Sequence, residues 1–368
     1  MNMNKYLKKN YALLGIETKK ETRFTDGLKA LLFNPICHYI LFGVLCCVIA
    51  YLATEKIIPE IIPYSLQSSL AISFSFSIAS IGFCLLMGYS GLASLGTGGF
   101  IGIGSYAVHY IMYMEELPLP LAILAAALVA TVIGLIVGFI SLRIEGIYLV
   151  ILTLGLSEIL RNIYTVLEDK IKVRNFELFG FLIKKQHSLY IVAALLVIVM
   201  IITHNIINSP TGRAMLAMKN STAAAQAMGI SLIKYRLMAF IICTIYAALS
   251  GVMLMITIRS IQASSPNGYY ALITSLNILA AVIIGGFKSI WGAVFGSFVM
   301  YGMQTAILQD IKFFADNPEF ITFISGALVI IVVMFFPGGV AQLLVEAKIK
   351  LKKLFKKIKE DIYGKDLG

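Results

Sequence analysis

The chain has 368 residues, of which 59% are hydrophobic and only 13% charged, and its mean hydropathy is +0.88. Water-soluble domains carry about 25% charged and 45–50% apolar residues, so these totals exclude a soluble enzyme or binding module. They point to an all-α polytopic membrane protein whose spans pack as one bundle. The net charge of +11 does not mark a nucleic-acid binder, because Lys and Arg gather at the two termini and in the loops between apolar runs, where membrane topology places them.

Residues 1–34 form a polar, basic segment without an apolar core and small-residue cleavage site, so the first span itself is expected to direct insertion. A span needs about twenty mostly apolar residues. The runs that meet this requirement are Pro35 to Thr54, Tyr64 to Met87, Leu92 to Tyr113, Leu119 to Leu142, Gly146 to Leu167 and Leu189 to Ile207. After an interruption come Leu237 to Ile258, Tyr270 to Gly285, Ile290 to Leu308 and Phe320 to Phe336. Ten spans put both termini on one side. With the N-terminus inside, 21 of the 30 Lys and Arg residues fall inside and 9 outside, which predicts cytoplasmic termini. Residues 35–340 then form the membrane domain, with a cytoplasmic loop at 208–236. Residues 341–368 form a basic tail whose Ala347, Leu351, Leu354, Phe355, Ile358 and Ile362 share a helical face suited to an anionic leaflet.

Along the second span, Ser65, Ser69, Ser73, Ser77 and Ser80 recur at helical steps and stack in one stripe. Such a stripe either lines a polar path or binds neighbouring helices together. The segment "GYSGLASLGTGGFIGIGSY" that comes next has seven glycines in nineteen residues. Glycine at this density either lets backbones pack closely or breaks the third span into an unwound or re-entrant helix, whose backbone N–H groups suit an anionic group such as a carboxylate, and the second reading is the one expected here. The pairs Gly134/Gly138 and Gly292/Gly296 read as helix packing. Glu158 and Arg161 are one turn apart and able to pair. Asn277 stands deep in the eighth span, facing either a path or another helix. The expected path residues are Ser69, Ser73, Ser77, Ser94, Gly96, Thr97, Gly98, Gly99 and Asn277.

The interruption reads "SPTGRAMLAMKNSTAAAQAMGISLIKYR", Ser209 to Arg236. Ser209 and Pro210 suit a helix start, Ser221 suits the cap of a second short helix, and Gly229 suits its end. Ala223, Ala224, Ala225, Ala227 and Met228 offer a small-residue surface that another protein can approach closely. Catalytic signals are lacking. "GGFKS" does not complete a Walker A loop, and the G-x-G-x-x-A string at Gly102 to Ala107 has no βαβ setting. His38, His109, His187 and His204 are scattered, and the five cysteines sit in apolar runs as small core residues. The chain is expected to be no enzyme and to bind no metal.

Four blocks in order carry a resemblance: "GYSGLASLGTGGFIGIGSY", "RIEGIYLVILTLGLSEILR" (Arg143 to Arg161), "SPTGRAMLAMKNSTAAAQAMGIS" and "GGFKSIWGAVFG" (Gly285 to Gly296). The chain resembles, from about Ile62 to Gly339, the LivM-like membrane subunits of bacterial ABC importers for branched-chain amino acids. That resemblance implies a permease subunit in the bacterial plasma membrane. Its expected partners are a second LivH-like permease subunit, two ABC ATPase subunits and an extracytoplasmic binding protein. No cofactor would be bound by this chain, since ATP and magnesium would sit on the ATPases. Ala224, Ala225 and Gly229 match the family's Ala-Ala-x-x-x-Gly coupling loop, with Arg213 upstream, and that loop would dock on the ATPase. The departures are Ala223 where the wider loop has Glu, Thr97 where members often have His, and "LEDKIKVRNFELFG" where members often carry Thr-Gly-Gly. The last of these bears on substrate identity.

Overall fold

The computed structural model describes residues 35–54, 64–141, 146–173, 176–178, 181–183, 187–265 and 268–302, with scattered positions between 320 and 340. The basic N-terminal segment, the amphipathic tail and most of the predicted span Phe320 to Phe336 lie outside the described residues. The chain divides into two compact units, Met1–Phe42 and Gly43–Gly368. Of the first, the described part is the opening of helix α1, Pro35–Thr54.

The described residues of the second unit are helical almost throughout. In chain order it holds α2 (Tyr64–Leu85), a π turn (Leu86–Ser90), α3 (Thr97–Val108) running into a second π segment (His109–Met114), α4 (Leu119–Ser141) and α5 (Ile147–Glu168). Next come the strands β1 (Lys170–Lys172), β2 (Phe176–Leu178) and β3 (Phe181–Ile183), then α6 (Ser188–Asn208), α7 (Pro210–Asn220), α8 (Thr222–Ala227) and α9 (Leu232–Ile258). The described chain closes with β4 (Ser260–Gln262), α10 (Leu272–Gly285), and α11 (Ile290–Ser297) continuing as a π segment to Gly302.

Burial sorts these helices into inner and outer ones. The apolar stretches of α2 and α9 are 83% buried, against 22%, 28% and 33% for α4, α5 and α6. The central α9 packs against α2, α3 and α4. Around it, α4 exposes Leu121, Leu124, Leu128, Val132, Leu135 and Phe139. In water such a stripe would be a liability. In a bilayer it is the lipid face, because hydrocarbon tails solvate it as well as protein does.

The described residues bear out a polytopic helical fold without carrying the count to ten. Five helices are long and apolar enough to cross a membrane: Leu66–Ser90, Leu119–Ile140, Tyr148–Glu168, Ser188–Asn208 and Leu232–Ile258. The predicted eighth span is a helix of only 14 residues, Leu272–Gly285, about 21 Å long at 1.5 Å per residue. The predicted ninth is described as far as Gly302. The predicted third span begins as helix at Thr97 rather than Leu92, after an irregular stretch from Gly91 to Gly96.

Loops gather at two opposite ends. At one, Lys219 Nζ donates to the Met87 and Gly88 carbonyls at 3.0 and 2.9 Å, and the Tyr89 hydroxyl donates to Lys288 O at 3.2 Å. At the other, β1 pairs antiparallel with β4, Lys170 opposite Gln262 and Lys172 opposite Ser260. There His109 Nε2 lies 2.7 Å from Glu168 Oε2. The 27 residues of α9 separate the two ends.

Candidate functional site

The broken third span is the first candidate. The first-turn N–H groups of a helix have no partner within it, and inside a membrane each needs one. Here hydroxyls from two other helices supply them. Gly98 N–H donates to Ser275 Oγ of α10 at 2.9 Å, and Gly99 N–H donates to Ser157 Oγ of α5 at 2.8 Å. Just upstream, Leu95 N–H donates to Thr153 Oγ1 of α5 at 3.0 Å, and Gly96 N–H to Ser94 Oγ at 3.3 Å. Thr97 Oγ1 is buried without a hydrogen-bond partner. The amino end of α3 is thus a junction of three helices, with the Gly98 and Gly99 donors taken by neutral hydroxyls.

The glycines make that junction possible. A Cβ on Gly98 would come within 3.1 Å of the Tyr270 and Ala271 carbonyls, and one on Gly99 within 2.9 Å of Ser157 Cα. Deeper in α3, a Cβ on Gly104 would overlap the Ala248 carbonyl of α9. The glycine density therefore serves close packing as well as the irregular entry. The expected path residues Ser94, Gly96, Thr97, Gly98 and Gly99 lie at this junction. Sequence reading missed Thr153, Ser157 and Ser275. The first two stand four residues apart, a spacing that puts both hydroxyls on one helical face.

The serine stripe of α2 divides its roles. Ser73 and Ser77 bond back to their own helix, to Leu70 O at 3.0 Å and Ser73 O at 2.7 Å. Ser80 crosses to α11, accepting from Ser297 Oγ at 2.8 Å. Ser69, Ser73, Ser77 and Ser80 are all buried, and Ser73 faces Gly302 beyond α11. Asn277 is partly exposed on α10. Glu158 and Arg161 pair at 3.1 Å, as their spacing predicts.

The second candidate is the polar interruption. Ser209 caps α7 by accepting from Gly212 N–H at 3.4 Å, with Pro210 in the first turn. Ser221 caps α8 by accepting from Ala224 N–H at 3.3 Å. Gly229, at φ +77°, takes the left-handed conformation that ends α8, and Gly229 N–H and Ile230 N–H close the turn on Gln226 O and Ala225 O. The two helices form a prong. Met215, Met218 and Ala225 point inward, in a cluster with Leu85, Leu86, Ala239, Phe240 and Cys243. Ala225 is 3% exposed and Met228 is 81% exposed. The outward surface of α8 is therefore Ala223, Ala224, Ala227 and Met228, with Gly229 beyond it, while Ala225 anchors the prong to the bundle. Arg213 is exposed and donates to Asn208 O at 3.3 Å.

Charge around the prong has one sign. From Ser209 to Arg236 the sequence carries Arg213, Lys219, Lys234 and Arg236 and no Asp or Glu. Lys288 lies close enough to Lys219 to act on it: burial first, and Lys288 second, hold the Lys219 ammonium below the usual lysine range.

Comparison with known proteins agrees with this architecture. Residues 65–333 match the family model described as "Branched-chain amino acid transport system / permease component". The chain is 26% identical over 309 residues to the high-affinity branched-chain amino acid transport system permease protein LivM of Salmonella typhimurium, covering 75% of this chain and 70% of that one. LivM of Escherichia coli matches with the same identity and coverage. The probable ABC transporter permease protein YphD of Escherichia coli is 26% identical over 147 residues, 39% of this chain and 43% of the relative. No solved structure matches the chain. A matched region that takes in α2 to α11, with lipid-facing outer helices and a capped polar prong between α6 and α9, makes this chain a LivM-like member of the branched-chain amino acid transport system permease family, a helical integral membrane protein.

Proposed function

We propose that this chain is one permease subunit of an ATP-driven importer and forms the translocation path with a second, LivH-like permease subunit. Two ABC ATPase subunits energise it and an extracytoplasmic binding protein delivers the solute. The cargo is a branched-chain or similar small amino acid. The observation that carries the reading is the α7–α8 prong. Both of its helices are capped by serine, it is fixed to the bundle by Met215, Met218 and Ala225, and it presents Ala223, Ala224, Ala227 and Met228 outward. An isolated short helix is marginal in water, so fixing one this firmly at the surface fits a docking element. The prong end is cytoplasmic in this reading, as are both termini, consistent with its four basic residues and no acid.

Within the bundle, the α3 amino end and the α2 stripe are the path groups: Ser69, Ser73, Ser77, Ser94, Gly96, Thr97, Gly98 and Gly99, with Asn277 on α10. The test is uptake by the assembled complex in vesicles, driven by ATP inside and fed by the loaded binding protein. The expected result is ATP-dependent leucine uptake that exceeds urea uptake. Uptake that persists without ATP or without the ATPase subunits overturns the importer reading, and a preference for urea overturns the cargo.

A further inference from the structure

Helix α2 keeps α-helical geometry only to Leu85 and then widens into the π turn Leu86–Ser90. A π turn forfeits regular helical bonding, persists where neighbours hold it, and frequently marks a functional site. Two segments hold this one. From the prong, Lys219 donates to the Met87 and Gly88 carbonyls at 3.0 and 2.9 Å, and its stem lies against Gly91, with Cγ 3.2 Å from where a Cβ would stand. From the loop between α10 and α11, Phe287 O accepts the Cys84 thiol at 3.0 Å, and Lys288 O accepts the Tyr89 hydroxyl at 3.2 Å. A Cβ on Gly88 would overlap the Phe287 carbonyl, so the two backbones touch.

Lys219 as a whole is exposed, and an exposed lysine ordinarily keeps its rotamer freedom and its hydration. Here the ammonium is turned back onto two main-chain carbonyls at the carboxyl end of a helix, where the macrodipole favours a cation. It stays there although Lys288 lies near enough to disfavour its charge.

We infer that Lys219 is a positioning residue that ties the prong to the π turn Leu86–Ser90, and that this turn is the element a stroke on the prong deforms. The inference rests on the reading of the prong as an ATPase-docking element. Force entering at α8 passes through Lys219 to Met87 and Gly88, and from Gly88 and Tyr89 to Phe287 and Lys288. That loop leads into α10, whose Ser275 caps α3. The turn supplies the two-state element that such a route requires, because rewinding π to α removes the extra residue and rotates the chain beyond Ser90.

The test is amide hydrogen exchange on the assembled importer in lipid, with and without ATP plus vanadate. In the wild type, Ala223 to Met228 should gain protection when the ATPase closes. The Gly91 and Leu92 amides, both bonded to Leu86 O, should change by about two- to thirty-fold, the range of measured coupling effects. Lys219→Met should keep the α8 response, abolish the Gly91 and Leu92 response, and lower substrate moved per ATP by a similar factor. Lys219→Arg, which retains the donors, should restore both. If α8 responds while Gly91 and Leu92 do not, or if they respond equally in Lys219→Met, the inference is wrong. Absence of any α8 response instead overturns the docking reading, and the inference falls with it.

Discussion

Gly104 and Gly155 show how much a single methyl group decides at the residue scale. A Cβ on Gly104 would overlap the Ala248 carbonyl, whereas one on Gly155 meets nothing within 4 Å. Gly104→Ala must push α3 off α9, and overpacking of this kind costs about 1–3 kcal/mol. Thermal unfolding of the purified protein should show a clear loss for Gly104→Ala and none for Gly155→Ala, and equal midpoints for the two would contradict the packing described. Both residues look alike in sequence, each a glycine in an apolar run. Their difference lies in which helix comes close, and hydropathy carries no record of that. The same holds for the hydroxyls of Thr153, Ser157 and Ser275, which read as isolated polar residues until the α3 backbone supplies their donors.

At the scale of elements, lengths of apolar sequence located most helices, because a bilayer demands them. The capping residues Ser209, Ser221 and Gly229 located the prong, because unpaired end groups demand those. Helix α3 starts five residues later than the apolar run predicts: Leu92 to Gly96 are apolar enough for a span, yet they stay unwound, with the Leu95 N–H held by Thr153 of α5 and the Gly96 N–H by Ser94. The inward turn of Ala225 was equally hidden, since four alanines and one methionine look interchangeable in composition.

The clasp at the far end makes a pH prediction. The Asp169 carboxylate accepts from Gln262 Nε2 at 2.8 Å and Ser264 N–H at 2.7 Å. Hydrogen bonds from Ser264, through side chain and backbone, and from Gln262 hold its carboxyl below the usual aspartate range. A depressed carboxyl pKa contributes stability above the unfolded-state value, and that contribution is lost as pH falls through the folded-state value. Exchange of the Ser264 amide, corrected for intrinsic rate, should therefore be flat from about pH 5 to 8 and rise only below about 4. Asp169→Asn should remove that acid limb. Loosening between about pH 5 and 7, above the ordinary carboxylate range, would show that another group controls the clasp.

At the largest scale, the described part of the second unit is organised around α9, which starts at the prong and ends at the β1–β4 clasp, packing on α2, α3 and α4 between them. The most buried helices are α2 and α9, the outer helices α4, α5 and α6 meet lipid on one side while α5 turns Thr153 and Ser157 onto α3, and the basic prong stands at one end. In the proposed function the bundle forms the path and the prong is the part that a motor on another chain pushes. The central claim is that the motor grips the outward surface of α8. Its most direct test places a photo-reactive cross-linker at Ala224 or at Met228 in the assembled complex. The predicted result is capture of a nucleotide-hydrolysing subunit from both positions, and none from the inward-facing Ala225. Capture of no such subunit from Ala224 and Met228, in a complex that still takes up substrate with ATP, would contradict it.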